Sequence, residues 1–143
     1  CINRGYTVSI IDILDKNFGG NIFNINEIKD KVDINIADIS NSEKIKESLK
    51  GADIIFNLAA QIGHSYSMKY PLKDHDLNSK SQLVFLEQIR SICPEAIIVY
   101  TSTRQIYGKA KYLPVDENHP LEPVDINGIN KMSAEQFHKL YFQ

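Results

Sequence analysis

Two stretches of this sequence place proton-handling side chains at spacings that chemistry could use. Tyr100-Thr101-Ser102-Thr103-Arg104-Gln105-Ile106-Tyr107-Gly108 sets the hydroxyl of Thr103 four residues before a Tyr-Gly pair. Further on, Asn127-Gly128-Ile129-Asn130-Lys131 sets a lysine four residues after an asparagine, one turn away if the segment is helical. A phenol titrates near about 10, so a cation one turn away is what lets it act as a base near neutrality. At the position one turn before Lys131 the chain carries Asn127, and a carboxamide donates and accepts hydrogen bonds but takes up no proton at useful pH. His64 has the side-chain type suited to proton transfer near neutrality; an ordinary polar loop histidine is the alternative. Tyr107-Gly108-Lys109-Ala110-Lys111 also has a Tyr and a Lys four apart. It directly follows Thr103 in a loop, so its two side chains are not expected on one helix face opposite that hydroxyl.

These residues need a scaffold, and the hydrophobic pattern supplies one. Tyr6–Asp12 is a β-branched apolar run closed by an acid and predicts a buried parallel strand. Asp33–Asp38 alternates and predicts a shorter, edge-like strand; Ala52–Leu58 and Ala96–Tyr100 predict two more. Between them, Ser40 or Asn41 is placed to cap a helix over Glu43–Leu49 that Gly51 ends. A long amphipathic helix is predicted from about Asp76 to Cys93, with Leu77, Val84, Leu86 and Ile89 inward and Pro94 at its end. A proline-bearing loop then leads to a last helix from about Asn127, expected to be still helical where the sequence stops at Gln143. The polar stretch Asp15–Asp30 reads as a variable loop or short irregular helix. Strands alternating with helices predict an α/β domain with a parallel sheet.

Composition narrows the function classes. The 143 residues suffice for one domain with a core, and 43% hydrophobic with 24% charged residues is ordinary for a globular protein. A formal charge of −2 gives no basic field for nucleic acid and no polybasic membrane patch. No apolar run approaches the roughly 18 residues of a membrane span. Cys1 and Cys93 have neither metal-ligand nor redox spacing, so no metal site is expected, and the reading is a cytoplasmic protein.

With Asn57-Leu58-Ala59-Ala60, the Thr103–Gly108 and Asn127–Lys131 segments resemble the extended short-chain dehydrogenase/reductase family, the nucleotide-sugar epimerases and dehydratases. The resemblance runs over nearly the whole chain. It implies a Rossmann-type doubly wound parallel sheet, an NAD cofactor and a nucleotide-sugar substrate. Asp12 falls where an acid accepts the adenosine ribose hydroxyls, about 20 residues after a glycine-rich turn. Counting back lands before Cys1, so residues 1–143 are expected to be part of an NAD-binding domain whose first strand and glycine turn precede them. Asp38 and Ile39 resemble the pair that brackets the adenine, although a helix-cap aspartate fits as well. Leu58, Ala59 and Ala60 stand at the small-residue turn that approaches the cofactor, and helix–sheet packing is the alternative. Asn78 matches the asparagine that fixes the long helix near the active site.

On the catalytic side the resemblance assigns Thr103 to the reacting hydroxyl and Lys131 to the nicotinamide ribose. Asn127 stands in place of the tyrosine base, so the tyrosine mechanism does not carry over. Gln61 and His64 lie in the loop that approaches sugar and nicotinamide. Arg104 and Gln105 replace the acidic pair of the 4,6-dehydratases. Glu117 and His119 read as polar loop residues and His138 as an exposed helical one. The leading reading is an NAD-dependent nucleotide-sugar epimerase or dehydratase, a homodimer when full length through its long and final helices. The alternative is an NAD-binding regulatory or sensor domain without turnover. A flavodoxin-like or receiver domain accounts for neither the Thr103 nor the Lys131 context. If the first strand lies between the strands ending at Asp12 and Leu58, those two strands should share no ladder.

Overall fold

The computed structural model describes residues 1–141. Four short strands form two parallel ladders, β1 (Ser9–Asp12) with β2 (Asp33–Ile36) and β3 (Ile54–Asn57) with β4 (Ile97–Tyr100). β1 and β3 share no ladder, as the expectation of an intervening strand requires. All four strands are shorter than their apolar runs. Tyr6 and Thr7 stay outside β1, and Ala52 and Asp53 outside β3, because only the paired residues have ladder partners.

Helix α1 (Ser42–Leu49) starts where Asn41 accepts the Lys44 amide and ends before Gly51, which takes φ +70°. Its Ile45 and Leu49 are buried with Ala37, Phe85, Ile89 and Cys93 to form the core, and Ile11, Ile55 and Ile98 pack on it from the sheets. The long helix begins at Pro71, earlier than its apolar period indicated, because proline at the first helical position needs no hydrogen-bond donor. It runs as α3 (Pro71–His75), a π-helical segment Asp76–Lys80 and α4 (Ser81–Ile92). A short α2 (His64–Lys69) precedes it, and α5 (Ile126–Tyr141) packs against α2, α3, the π segment and α4. Any continuation of α5 to Gln143 lies outside the described residues. Asp15–Asp30 becomes three 3₁₀ turns, Lys16–Phe18, Ile22–Ile25 and Lys29–Lys31, the first two capped by Asp15 and Asn21.

One face of the β3–β4 ladder meets the core; the other is open. Ile54 opposite Ile97 and Phe56 opposite Val99 are all exposed, as is Leu58 beyond the strand. No helix among the described residues is long and apolar enough to cross a membrane.

Candidate active site

The residues expected to hold a dinucleotide converge. Asp12, at the end of β1, and Asp38 and Ile39, just past β2, line a cleft of about 290 Å³ whose far wall is Leu58, Ala59, Ala60 and Gln61. Parallel strands end on one side of the sheet, which is why positions far apart in sequence meet there. The turn after β1 is tight: Leu14 takes φ +49° and donates its amide to Asp12 at 2.7 Å. Gly20 presses on that turn so closely that a Cβ would sit 2.3 Å from the Leu14 carbonyl carbon. Among the described residues the lining carries three carboxylates, Asp12, Asp15 and Asp38, and no lysine or arginine.

Thr103 lies just past the end of β4 and Lys131 in the second turn of α5. Lys131 is buried, donates from Nζ to the Thr101 carbonyl at 3.0 Å and lies 5.0 Å from the Tyr100 ring centre. Burial pulls its pKa down, partly opposed by the negative charge of Asp74. Thr103 caps the 3₁₀ turn Arg104–Tyr107: its Oγ1 accepts the Gln105 amide and donates to Gln105 Oε1, both at 3.3 Å. Arg104 is exposed. Gln105 turns inward and donates to Asp125 at 3.2 Å. Tyr107 packs edge-on against His119, while Lys111 pairs with Glu122 at 2.8 Å, so these two do not form a tyrosine–lysine dyad.

Asn127 faces the protein interior. It is 1% exposed, and its amide hydrogens are shared among the Gln61 carbonyl at 3.0 Å, Gln61 Oε1 at 3.3 Å and Asp74 Oδ2 at 3.2 Å. Asp74 is fully buried and also accepts from Asn78 and Asn130, each at 2.9 Å. Three carboxamides thus satisfy one buried carboxylate, the arrangement a buried charge requires. Asn78, within the π segment, reads the Gln61 backbone in both directions: its Oδ1 accepts from Gln61 N and its Nδ2 donates to Gln61 O, both at 2.9 Å. It therefore positions the loop after Ala60 and does not line the cleft.

His64 opens α2, and its Nδ1 lies 2.7 Å from Asp125 Oδ2, with the histidine side chain 61% exposed and the aspartate 4%. Asp125 Oδ1 accepts the Gly128 amide at 2.6 Å and so caps α5. One sequence expectation is corrected. His138 is half-buried, stacked on Tyr100, donating from Nδ1 to the Ala134 carbonyl and accepting from Asn57, because it meets these two strand side chains instead of solvent. His119 is buried and accepts the Lys111 amide at 2.9 Å, which organises the proline-bearing loop. Burial, then the nearby Glu135, pushes the Tyr100 phenol far above its usual value, which removes it as a proton acceptor. An acid directly before a helix is a cap signal that could have flagged Asp125; no local pattern marks Asp74.

Comparison with known proteins fixes the family. The family model described as GDP-mannose 4,6 dehydratase matches residues 1–143. The chain belongs to that family. It is 36% identical over 140 residues to a putative UDP-glucose 4-epimerase of Methanocaldococcus jannaschii, covering 98% of this chain and 44% of the relative. Among solved structures it is similar to the UDP-glucose 4-epimerase of Thermotoga maritima with UDP-glucose, at TM-score 0.84 and 27% identity, covering 98% of this chain and 44% of that one. The UDP-Glc/GlcNAc 4-epimerase of Campylobacter jejuni gives TM-score 0.86 at 23% identity, covering 96% and 42%. The chain thus spans less than half the length of these family relatives. Membership in the extended short-chain dehydrogenase/reductase family and the incomplete Rossmann-type sheet, both expected from the sequence, hold.

Proposed function

We propose that the full-length protein is an NAD-dependent nucleotide-sugar epimerase or dehydratase in which Asn127 replaces the tyrosine base. The observation that carries this reading is the single cleft shared by Asp12, Asp38, Ile39, Leu58, Ala59 and Ala60. Its chemistry suits NAD. Asp12 has one carboxylate oxygen engaged by Leu14 and the other without a partner among the described residues, free to accept ribose hydroxyls. A rim of three carboxylates without a cation repels the additional phosphate of NADP. When bound, NAD would accept and return a hydride. Lys131 would turn from the Thr101 carbonyl to the nicotinamide ribose, and Thr103, with Gln61, His64, Arg104 and Gln105 around it, would orient the sugar. The UDP-glucose named for the Thermotoga maritima relative supports a nucleotide hexose as substrate. Exposed Leu72, Leu83 and Leu140 on the long and final helices support a homodimer.

The test is calorimetric titration of NAD and NADP into full-length protein, followed by UDP-glucose, UDP-galactose, GDP-mannose and dTDP-glucose with NADH absorbance and product analysis. NAD binding with sugar conversion supports the proposal; tighter NADP binding removes the cofactor assignment. A second reading, an NAD-binding sensor without turnover, is favoured by Asn127, whose amide is buried and spent on Asp74 and Gln61. NAD binding without conversion of any of the four sugars would select it.

A further inference from the structure

We propose that His64, oriented by Asp125, is the side chain that takes and returns the sugar hydroxyl proton in place of the missing tyrosine. This rests on the epimerase or dehydratase reading. Its basis is a run of bonded side chains that joins the substrate-orienting threonine to the histidine. Thr103 Oγ1 meets Gln105 Oε1 at 3.3 Å, Gln105 Nε2 donates to Asp125 Oδ2 at 3.2 Å, and the same oxygen meets His64 Nδ1 at 2.7 Å. His64 is thereby linked to Thr103 through the Gln105 and Asp125 side chains, and it lies three residues past Gln61, the residue braced by Asn127.

The carboxylate sets the tautomer. Ionised Asp125 only accepts, and its other oxygen is held by the Gly128 amide at 2.6 Å, so the 2.7 Å contact requires a proton on His64 Nδ1. That leaves Nε2 with its lone pair, on a ring 61% exposed and without a hydrogen-bond partner for Nε2 among the described residues. Asp125 is in turn 4% exposed and fixed from three directions, by Gly128, Gln105 and His64, so the orientation is set before substrate arrives. In the oxidation step the hydroxyl proton passes to His64 Nε2. The C–H hydrogen would leave with its electron pair as the carbon–oxygen double bond formed, the hydride acceptor being the bound NAD of the proposed function. The imidazolium is stabilised by Asp125 through Nδ1–H, and the reverse transfer restores the neutral ring. Asp125 is a positioning residue and His64 the catalytic one, the same division of labour as in other histidine–carboxylate pairs.

The bland alternative is a brace, in which His64 merely ties α2 to the start of α5. A cofactor-free measurement first tests the tautomer that the proposal requires, and the rate of the His64→Gln variant then separates the two. Nitrogen NMR of the full-length protein labelled at histidine should show His64 protonated at Nδ1 with Nε2 bare. In Asp125→Asn, where the carboxamide preserves the α5 cap and its NH₂ can donate to Nδ1, the proton should move to Nε2. An Nε2-protonated His64 in the wild type overturns the proposal. Single-turnover NADH formation with UDP-glucose, UDP-galactose, GDP-mannose and dTDP-glucose, after NAD affinity has been measured, supplies the second arm. His64→Gln and Asp125→Asn should each slow that step by about 10²–10⁴-fold, with NAD affinity within about twofold of wild type. An unchanged rate in His64→Gln overturns the dyad and leaves the enzyme reading standing. NAD binding with no reduction by any of these sugars also overturns it, since no hydroxyl proton is then taken. Failure of NAD to bind at all instead removes the functional reading on which it rests.

Discussion

Asn127 donates to one buried carboxylate and to the Gln61 carbonyl, so its replacement is first a question of stability. Asn127→Ala removes a hydrogen bond to a charged acceptor and leaves Asp74 with two carboxamides, which costs about 1–3 kcal/mol in urea denaturation of the full-length protein. NAD affinity should stay within about twofold, and turnover should persist, because an amide contributes no proton transfer. Lys131→Ala should behave oppositely, weakening NAD by about tenfold or more in calorimetry through loss of a charge-assisted contact. From the sequence, the missing phenol at 127 could be read but not what the amide does instead. That depends on Asp74, fifty-three residues away and linked only through the packing of α3 on α5. His64 could be singled out by type and Asp125 as a helix cap, but their pairing could not, since the contact spans sixty-one residues.

At the level of elements, β3 and α5 are tied through one imidazole. Burial, reinforced by the nearby Lys131, holds the His138 pKa below its usual value despite the Ala134 carbonyl. Asn57 also needs Nε2 unprotonated, because it donates to it. The unfolded chain takes up this proton first as pH falls below about 6.5. Stability should therefore decrease as pH drops from about 6.5 through the lower folded pKa, then level off. His138→Gln should flatten that part of the pH dependence of the urea midpoint. A second prediction concerns the loop before α5. Gly108 holds φ +64°, and a Cβ there would lie 1.9 Å from the Glu122 carbonyl oxygen. Gly108→Ala should cost at least about 1–3 kcal/mol from backbone strain alone, measurable as a lowered thermal midpoint. Strand positions, the α1 cap and the start of α5 could all be read locally, from apolar period and capping side chains. The start of the long helix and the 3₁₀ turns of 15–30 could not, because proline at a first turn and Asx caps give weak signals in a polar stretch.

Across the whole molecule, the open face of the β3–β4 ladder is the dominant feature. Ile54, Phe56, Leu58, Ile97 and Val99 form a contiguous apolar surface, larger in character than the scattered apolar residues of an ordinary exterior. Residues 1–143 expressed by themselves should bind a hydrophobic dye and self-associate in light scattering. Phe56→Lys with Val99→Lys should reduce both; an unchanged monomeric, dye-negative protein would show that this face is harmless. The parallel topology and the absence of a β1–β3 ladder could be read from the order of strands and helices together with the position of Asp12. Which sheet face stays open could not, since the runs Ile54–Leu58 and Ile97–Tyr100 are apolar on both sides.

The amide cluster around Asp74 also bears on how such a sequence can change. A tyrosine at 127 would have to fit a ring where an asparagine is 1% exposed, while stripping Asp74 of one donor. The reverse order fares no better: neutralising Asp74 alone leaves the Asn78, Asn127 and Asn130 amides short of an acceptor. Either first step passes through a less stable protein, so the asparagine is entrenched. A lineage that has acquired this cluster would hold it by historical contingency, and an engineer wishing to reinstate the phenol would need to change positions 74 and 127 together.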